Sequence, residues 1–340
     1  MHLNLKYRVL PVLRFSAGYS PFGCALSVAI HLEKETVSPT KFKMPSDTDV
    51  VFELDLDEPP QHLQDWAKEN IKENPDTRCL VLEDFRDMIF ARGDCTPHRT
   101  DDDFLLRFLR GRKFNLESAY RLLVNYYEFR EDNPEFFNNI NIYKLLRIGC
   151  DSIITVPPYR EQTGRRIILY RMGKWNPEKY SITELFQATL IALELAILEP
   201  RAQILGGIGM FDMSDLTLSQ AYHMTPSIAH KIVQIMVTSF PMKIHAVHVV
   251  FQPWIFDIVY AMFKPFITGS MSDRIFFHGD DMDSLHKHID PKHLPERYGG
   301  RHPDYDYSPW VEGFKRNKKL NEQMESIGYI INSEENSKEE

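Results

Sequence analysis

Trp254-Ile255-Phe256-Asp257-Ile258-Val259-Tyr260-Ala261-Met262-Phe263-Lys264-Pro265-Phe266-Ile267 decides how this chain folds. Only Asp257 and Lys264 are charged within it. A covering helix ordinarily shows one apolar stripe and one polar face. The helix expected over residues 254–264 is apolar almost all round, so it needs apolar partners on more than one side, as a lid over an apolar cavity has. It is too short, and too interrupted by Pro265, to span a bilayer. Residues 246–251 and 274–277, on either side of it, read as strands rich in branched and aromatic residues.

The alternation continues upstream. Residues 153–156, 166–170 and 204–211 read as strands, 182–198 and 227–239 as helices, and 282–288 as a short helix. Strands alternating with helices imply crossover connections and an α/β fold with a mainly parallel sheet. Before residue 150 the pattern is helical. Residues 63–74 form one candidate, and Leu82, Phe85, Met88 and Ile89 share a stripe in the next. Asp101 or Asp102 can cap a helix carrying Phe104, Leu105, Phe108 and Leu109 and ending at Gly111. Asn115 can cap another, limited by Pro134. The expected division is residues 1–60 as a poorly ordered extension and linker, 61–135 as a small all-helical domain, 145–310 as the α/β domain, and 311–340 as a polar tail. The proline-bearing stretch 34–60 is the linker, residues 7–30 are apolar but broken by Pro11, Gly18, Pro21 and Gly23, and 332–340 read as disordered.

Composition narrows the function. A net charge of -8 in 340 residues argues against general nucleic-acid affinity. Cys24, Cys79, Cys95 and Cys150 match neither a zinc knuckle nor a redox pair. No run of eighteen uninterrupted apolar residues suggests a membrane span. Gly206, Gly207 and Gly209 lack the spacing of a nucleotide loop and read as sites of close packing. His278, His286, His288 and His293 fit no strong metal pattern. A lipase elbow is absent, and Asp212 reads as a paired strand-end acid.

Several segments carry a family resemblance. Asp102-Asp103-Phe104-Leu105-Leu106-Arg107-Phe108-Leu109-Arg110-Gly111-Arg112-Lys113-Phe114, Phe211-Asp212-Met213-Ser214, Ser239-Phe240-Pro241-Met242-Lys243, Lys264-Pro265-Phe266 and Leu294-Pro295-Glu296-Arg297-Tyr298-Gly299-Gly300 occur in family order. Together they resemble the CRAL-TRIO, or Sec14-like, lipid-transfer family, nearest its alpha-tocopherol transfer protein and retinaldehyde-binding branch. The resemblance implies a lipid-binding cage with a movable gate helix, preceded by a small helical domain. It also implies a non-enzymatic carrier with no cofactor, holding one hydrophobic small lipid of tocopherol, retinoid or other isoprenoid type. Such a carrier is expected to be a cytoplasmic monomer with transient membrane contact and no nucleic-acid partner. The alternatives are a phosphatidylinositol or phospholipid transfer protein, or a lipid-sensing adaptor.

The resemblance further implies a pocket of Phe186, Thr189, Leu193, Ile232, Ile235, Met236, Phe240, Ile244 and Val247, with Thr189 or Thr183 offering a hydroxyl to the cargo. Its gate would be Trp254, Ile255, Phe256, Val259, Tyr260, Phe263, Phe266 and Ile267. A phosphoinositide patch would map to Lys243, His245 and Arg274. Ser270 and Ser272 stand where lysines are seen in the branch, so the patch is thinned. His245 is expected to regain charge at mildly acidic pH. Arg107, Arg110, Arg112 and Lys113 would either join the patch or hold the helical front end in place. Ala246 occupies the position where phosphatidylinositol-carrying members use a lysine to bind the headgroup phosphate, which argues against phosphatidylinositol as the enclosed cargo. A tocopherol-sized ligand hides on the order of 400 Å² of apolar surface, worth about 10 kcal/mol relative to water at roughly 25 cal/mol per Å².

Overall fold

Capped helices open the structure. The computed structural model describes residues 52–138 and 140–331. The readings for residues 1–51 and 332–340 lie outside them. Helices α1 (Gln61–Ile71), α2 (Arg78–Arg92), α3 (Asp102–Gly111), α4 (Leu116–Asp132) and α5 (Ile142–Cys150) come first. The Asp101 carboxylate accepts from the Phe104 N–H and the Asn115 side chain from the Ser118 N–H, so both expected caps form. Phe85, Phe104, Phe108, Leu122 and Leu123 are buried in the core between these helices. Residues 52–60, the end of the stretch read as a poorly ordered linker, lie against the body. The Asp55 N–H donates to Glu199 and the Glu53 carbonyl accepts from Arg166.

The α/β region runs β1 (Ile154–Thr155), β2 (Ile167–Arg171), α6 (Ile182–Ala196), α7 (Pro200–Leu205), β3 (Gly207–Asp212), α8 (Leu218–Tyr222) and α9 (Pro226–Gln234). It continues with β4 (Ile244–Val250), α10 (Ile255–Phe263), α11 (Gly269–Ser272), β5 (Ile275–Gly279) and α12 (Met282–His286). The sheet order is β1-β2-β3-β4-β5; β1 is antiparallel to β2, and all other neighbours are parallel. Residues 204–205 belong to α7 rather than to a strand. Pro200 suits a first helical turn. Gly206, at φ +80°, then turns the chain where a Cβ would sit 2.3 Å from the Lys243 carbonyl oxygen. After α9 the helix widens into a π-helical turn, Ile235–Ser239.

Strand alternation gives the sheet two different faces. Ile167, Leu169 and Met210 pack on one side against Leu285, Ile289, Leu294 and Tyr298. Ile168, Tyr170, Phe211, Val247 and Val249 point to the other, toward α6, α9 and α10. Asp212 ends β3 as a paired acid: it accepts from Arg297 Nε at 2.8 Å and from the Tyr298 hydroxyl at 2.9 Å, which docks the Leu294–Gly300 motif under the sheet. The segment after Gly300, polar in composition, folds into α13 (Ser308–Arg316) and α14 (Lys318–Glu325), with Phe314, Leu320 and Met324 buried against the helical front end.

The front end is bolted to the α/β region through α3. Arg110 Nε and Nη2 reach Glu73 at 2.9 and 2.7 Å, and its Nη1 donates to Gln203 of α7 at 2.7 Å. Arg112 Nη2 donates to the Val237 carbonyl. These two arginines therefore serve the structural role raised for that motif.

On the outer face, His248 Nδ1 lies 3.0 Å from His278 Nε2, and His278 Nδ1 lies 2.9 Å from Ser284 Oγ. Burial, then neighbouring His278 and His288, pushes His248 down to about 3. It is neutral in the fold, whereas an unfolded histidine takes up a proton near pH 6.5. The unfolded state thus binds more protons as pH falls below 6.5, and stability drops until the folded value is reached. Between pH 6.5 and 5 this one group is expected to remove about 2 kcal/mol. His248→Gln should lose correspondingly less over that interval in urea titrations. An unchanged pH slope would assign the acid sensitivity elsewhere.

Candidate functional site

An apolar cavity of about 230 Å³ lies between the inner face of the sheet and α6, α9 and α10. Among the described residues that line it, none carries a charge. Phe186, Thr189 and Leu193 reach it from α6, Ile232, Ile235 and Met236 from α9 and the π-helical turn, and Ile244 and Val247 from β4. Phe240 does not line it. Leaving the π-helical turn in an extended conformation, Phe240 packs on Tyr126 with ring centroids 6.3 Å apart. Thr183 and Ala246 are likewise off the wall.

Part of the wall escaped sequence reasoning. Met172, Met213, Met224, Met242 and Met271 line the cavity beside the expected Met236. Flexible thioethers suit an enclosure that must follow its contents. Gly207 and Gly209 keep the β3 floor flat where side chains would otherwise fill space. Tyr170 stacks on Phe211 at 4.4 Å, and burial pushes its phenol up to about 12. The neighbouring Thr189 hydroxyl holds that rise back, and itself donates to the Leu185 carbonyl at 3.0 Å. Gln220 has no spare capacity: its Nε2 donates to the carbonyls of Met172, Gly173 and Trp175, and its Oε1 accepts from Thr217. Tyr170, Thr189 and Tyr260 thus supply the hydroxyls of the wall. Alternation from Ile168 along β2 is the signal that would have found Tyr170.

α10 closes the cavity with one face. Phe256, Val259, Tyr260 and Phe263, with Ile267 beyond the helix end, line it at helical spacing. Ile255 packs beside them without reaching it, and Phe266 turns to His230 with centroids 4.8 Å apart. Trp254 is 68% exposed, so it does not pack between sheet and helix. Ile258 on the outer side of α10, Leu218 and Tyr222 on neighbouring α8, and Phe277 on β5 are also exposed. An apolar rim therefore borders the closing helix. The cavity is smaller than the about 300–1,000 Å³ usual for ligand pockets. A larger guest needs α10 or the methionines to yield.

Basic residues come together because β2, β4 and β5 run in the same direction in the sheet. Lys243 and Arg274 directly precede β4 and β5, and Arg165 stands two residues before β2, so the three lie at one end of the sheet with His245 near the start of β4. Burial, then Arg274, Lys113 and Arg165, lowers the Lys243 pKa. Arg274 Nη1 donates to the Ile244 carbonyl at 3.0 Å. Desolvation of the ring, then Arg165, Lys243 and Arg274, pushes His245 down to about 4. The surrounding cations oppose a charge on His245, although its side chain is exposed to solvent.

No helix among the described residues is long and apolar enough to cross a membrane. Comparison with known proteins agrees with the geometry. Residues 151–300 match the CRAL/TRIO domain, and residues 74–145 match the Pinta-like UBA domain. Rat Clavesin-1 is 38% identical over 247 residues, covering 72% of this chain and 70% of that protein. Human alpha-tocopherol transfer protein-like is 37% identical over 244 residues, covering 72% and 71%. Human Clavesin-2 is 34% identical over 250 residues, covering 72% and 76%. With its caged cavity, its closing helix and this likeness over most of its length, the chain belongs to the CRAL/TRIO, or Sec14-like, family, within reach of its Clavesin and alpha-tocopherol transfer protein branch.

Proposed function

We propose that this protein is a non-enzymatic carrier that encloses one uncharged hydrophobic small molecule, of tocol, retinoid or other isoprenoid type, and exchanges it at a membrane surface. The carrying observation is a cavity with no charged residue on its described wall, closed by a helix whose outer side bears exposed apolar residues. An uncharged wall disfavours a phosphorylated headgroup inside, because an ion there would lack a compensating partner. The Tyr170–Thr189 pair suits a single hydroxyl or carbonyl on the cargo.

Exchange follows from the same geometry. Trp254, Ile258, Leu218 and Tyr222 enter the boundary between headgroups and acyl chains, α10 moves outward, and the cargo passes without crossing water. Lys113, Lys243 and Arg274 contact anionic headgroups, each basic residue being worth roughly 1 kcal/mol near such a surface. Phosphatidylinositol phosphates fit this patch as surface partners. The test is transfer of fluorescent tocopherol between vesicles. Stoichiometric uptake and delivery support the carrier, and failure to extract any isoprenoid from donor vesicles contradicts it. Replacing Lys243 and Arg274 together by alanine should reduce the rate gain from phosphoinositide about thirtyfold, at roughly 1 kcal/mol per lost cation. Transfer to neutral vesicles should change little. An undiminished gain in the double variant would remove the patch from the account.

A further inference from the structure

A second cavity, of about 820 Å³, borders a neighbouring face of α6. Ala192, Leu195 and Ala196 line it, while Phe186, Thr189 and Leu193 of the same helix line the cargo cavity. Its size lies within the about 300–1,000 Å³ of ligand pockets. Unlike the first, it is charged: Arg166, Arg316 and Lys318 share its wall with Glu53 and with Glu312, the latter paired to Lys315 at 3.1 Å. Arg166 is on its wall and only 7% exposed, with its guanidinium 4.9 Å from the ring centroid of Trp310, another wall residue. Arg316 and Lys318 are exposed at its rim, and neither has a described carboxylate within ion-pair distance.

Behind Arg166 the charges do not balance. Glu199 is contacted by Arg166 at 2.7 Å and Arg160 at 3.2 Å, while Asp55 is contacted by Arg160 at 3.4 Å and Arg201 at 3.6 Å. Three guanidinium groups thus share two carboxylates, an excess of one positive charge. Arg160 Nε, Arg166 Nη1 and Arg201 Nε and Nη1 are buried without hydrogen-bond partners among the described residues. Buried donors are rarely left unpaired, and a charged one is costly to leave so. Of these groups, Arg166 belongs to the cavity wall.

We propose that this second cavity binds an anionic amphiphile, an alkyl chain ending in a single carboxylate or phosphate. The head accepts from Arg166 Nη1, and the tail lies against Leu146, Val156, Leu195 and Trp310. Arg316 and Lys318 draw the anion to the mouth. The site is independent of the cargo cavity, whose wall has no cation to hold such a head.

Arg166 also anchors Glu199, so its removal would test folding as much as binding. The informative variants are Ala192→Trp, which fills the tail space, and Arg316→Glu with Lys318→Glu, which reverses charge at the mouth. Equilibrium dialysis of the full chain, its cargo cavity first saturated with tocopherol so that only the second cavity is read, against dodecanoate, dodecyl phosphate and uncharged dodecanol reads the outcome. Expected are one-to-one binding of an anionic probe, at least tenfold weaker binding of dodecanol, and at least tenfold weakening by Ala192→Trp. The double charge reversal should weaken binding at least threefold, which keeps the test valid should the tryptophan variant not fold. Preference for dodecanoate identifies a fatty carboxylate, and preference for dodecyl phosphate a phosphate-headed lipid. Phe263→Asp, in the cargo cavity, should leave this binding within twofold. No anion binding, equal binding of dodecanol, or loss on Phe263→Asp instead of on the cavity-two variants would overturn the proposal.

Discussion

Replacing Phe263 by aspartate is expected to slow vesicle-to-vesicle transfer more than tenfold while the far-UV circular dichroism stays unchanged. Phe263 lies on the closing face of α10 and lines the cavity. A carboxylate there meets a wall with no cation to pair it. It must turn outward, leaving a gap, or draw water into the enclosure. An unpaired polar group buried in an apolar site costs about 1–3 kcal/mol by mutational measures, and an ion more. A retention loss of 1.4 kcal/mol is already tenfold. Because Phe263 is half-buried rather than central to the core, the fold should survive. Unchanged transfer by a folded variant would mean that α10 does not close the cavity.

The largest stability effect is expected at Arg110. Arg110 and Glu73 are both buried, joined by two hydrogen bonds, and Arg110 reaches across to Gln203. Arg110→Ala leaves Glu73 with only Arg78, at 3.4 Å, and strips Gln203 Oε1 of its donor. Breaking one side of a buried pair typically costs about 3–5 kcal/mol, because the remaining charge is stranded. Urea titration should show a loss of that size. Adding Glu73→Gln should recover part of it, since the stranded charge is then gone. A loss under about 1 kcal/mol would show that water already reaches this junction.

Much of the architecture was legible because the chain writes it locally. Asp101 and Asn115 announced their helices, and the α/β alternation placed the strands to within a few residues. The apolar excess of α10 pointed to a cavity, and the structure puts one against its inner face. What could not be read was orientation. Ile255, Phe266 and Phe240 are as apolar as their neighbours, yet only tertiary packing decides that they miss the wall. Periodicity gives a stripe but not its partner. Met236 aside, the wall methionines went unnoticed because they come from turns, loops and a short helix scattered in sequence and converge only in space. The cations that surround His245 could not be read from its neighbours either, since Arg165 and Arg274 lie far from it in the chain. Residues 204–205 were drawn into a strand by hydrophobicity, although Pro200 and Gly206 bracket a helical turn there.

Native mass spectrometry with lipid extraction, on protein taken from cells of its own source, tests the central claim most directly. The account predicts a single uncharged isoprenoid, retinoid or tocol at one copy per chain, lost on Phe263→Asp and kept on Ala192→Trp. A diacyl phospholipid held at one copy, and displaced by the same gate substitution, would contradict it, because the uncharged wall would then be enclosing a charged headgroup.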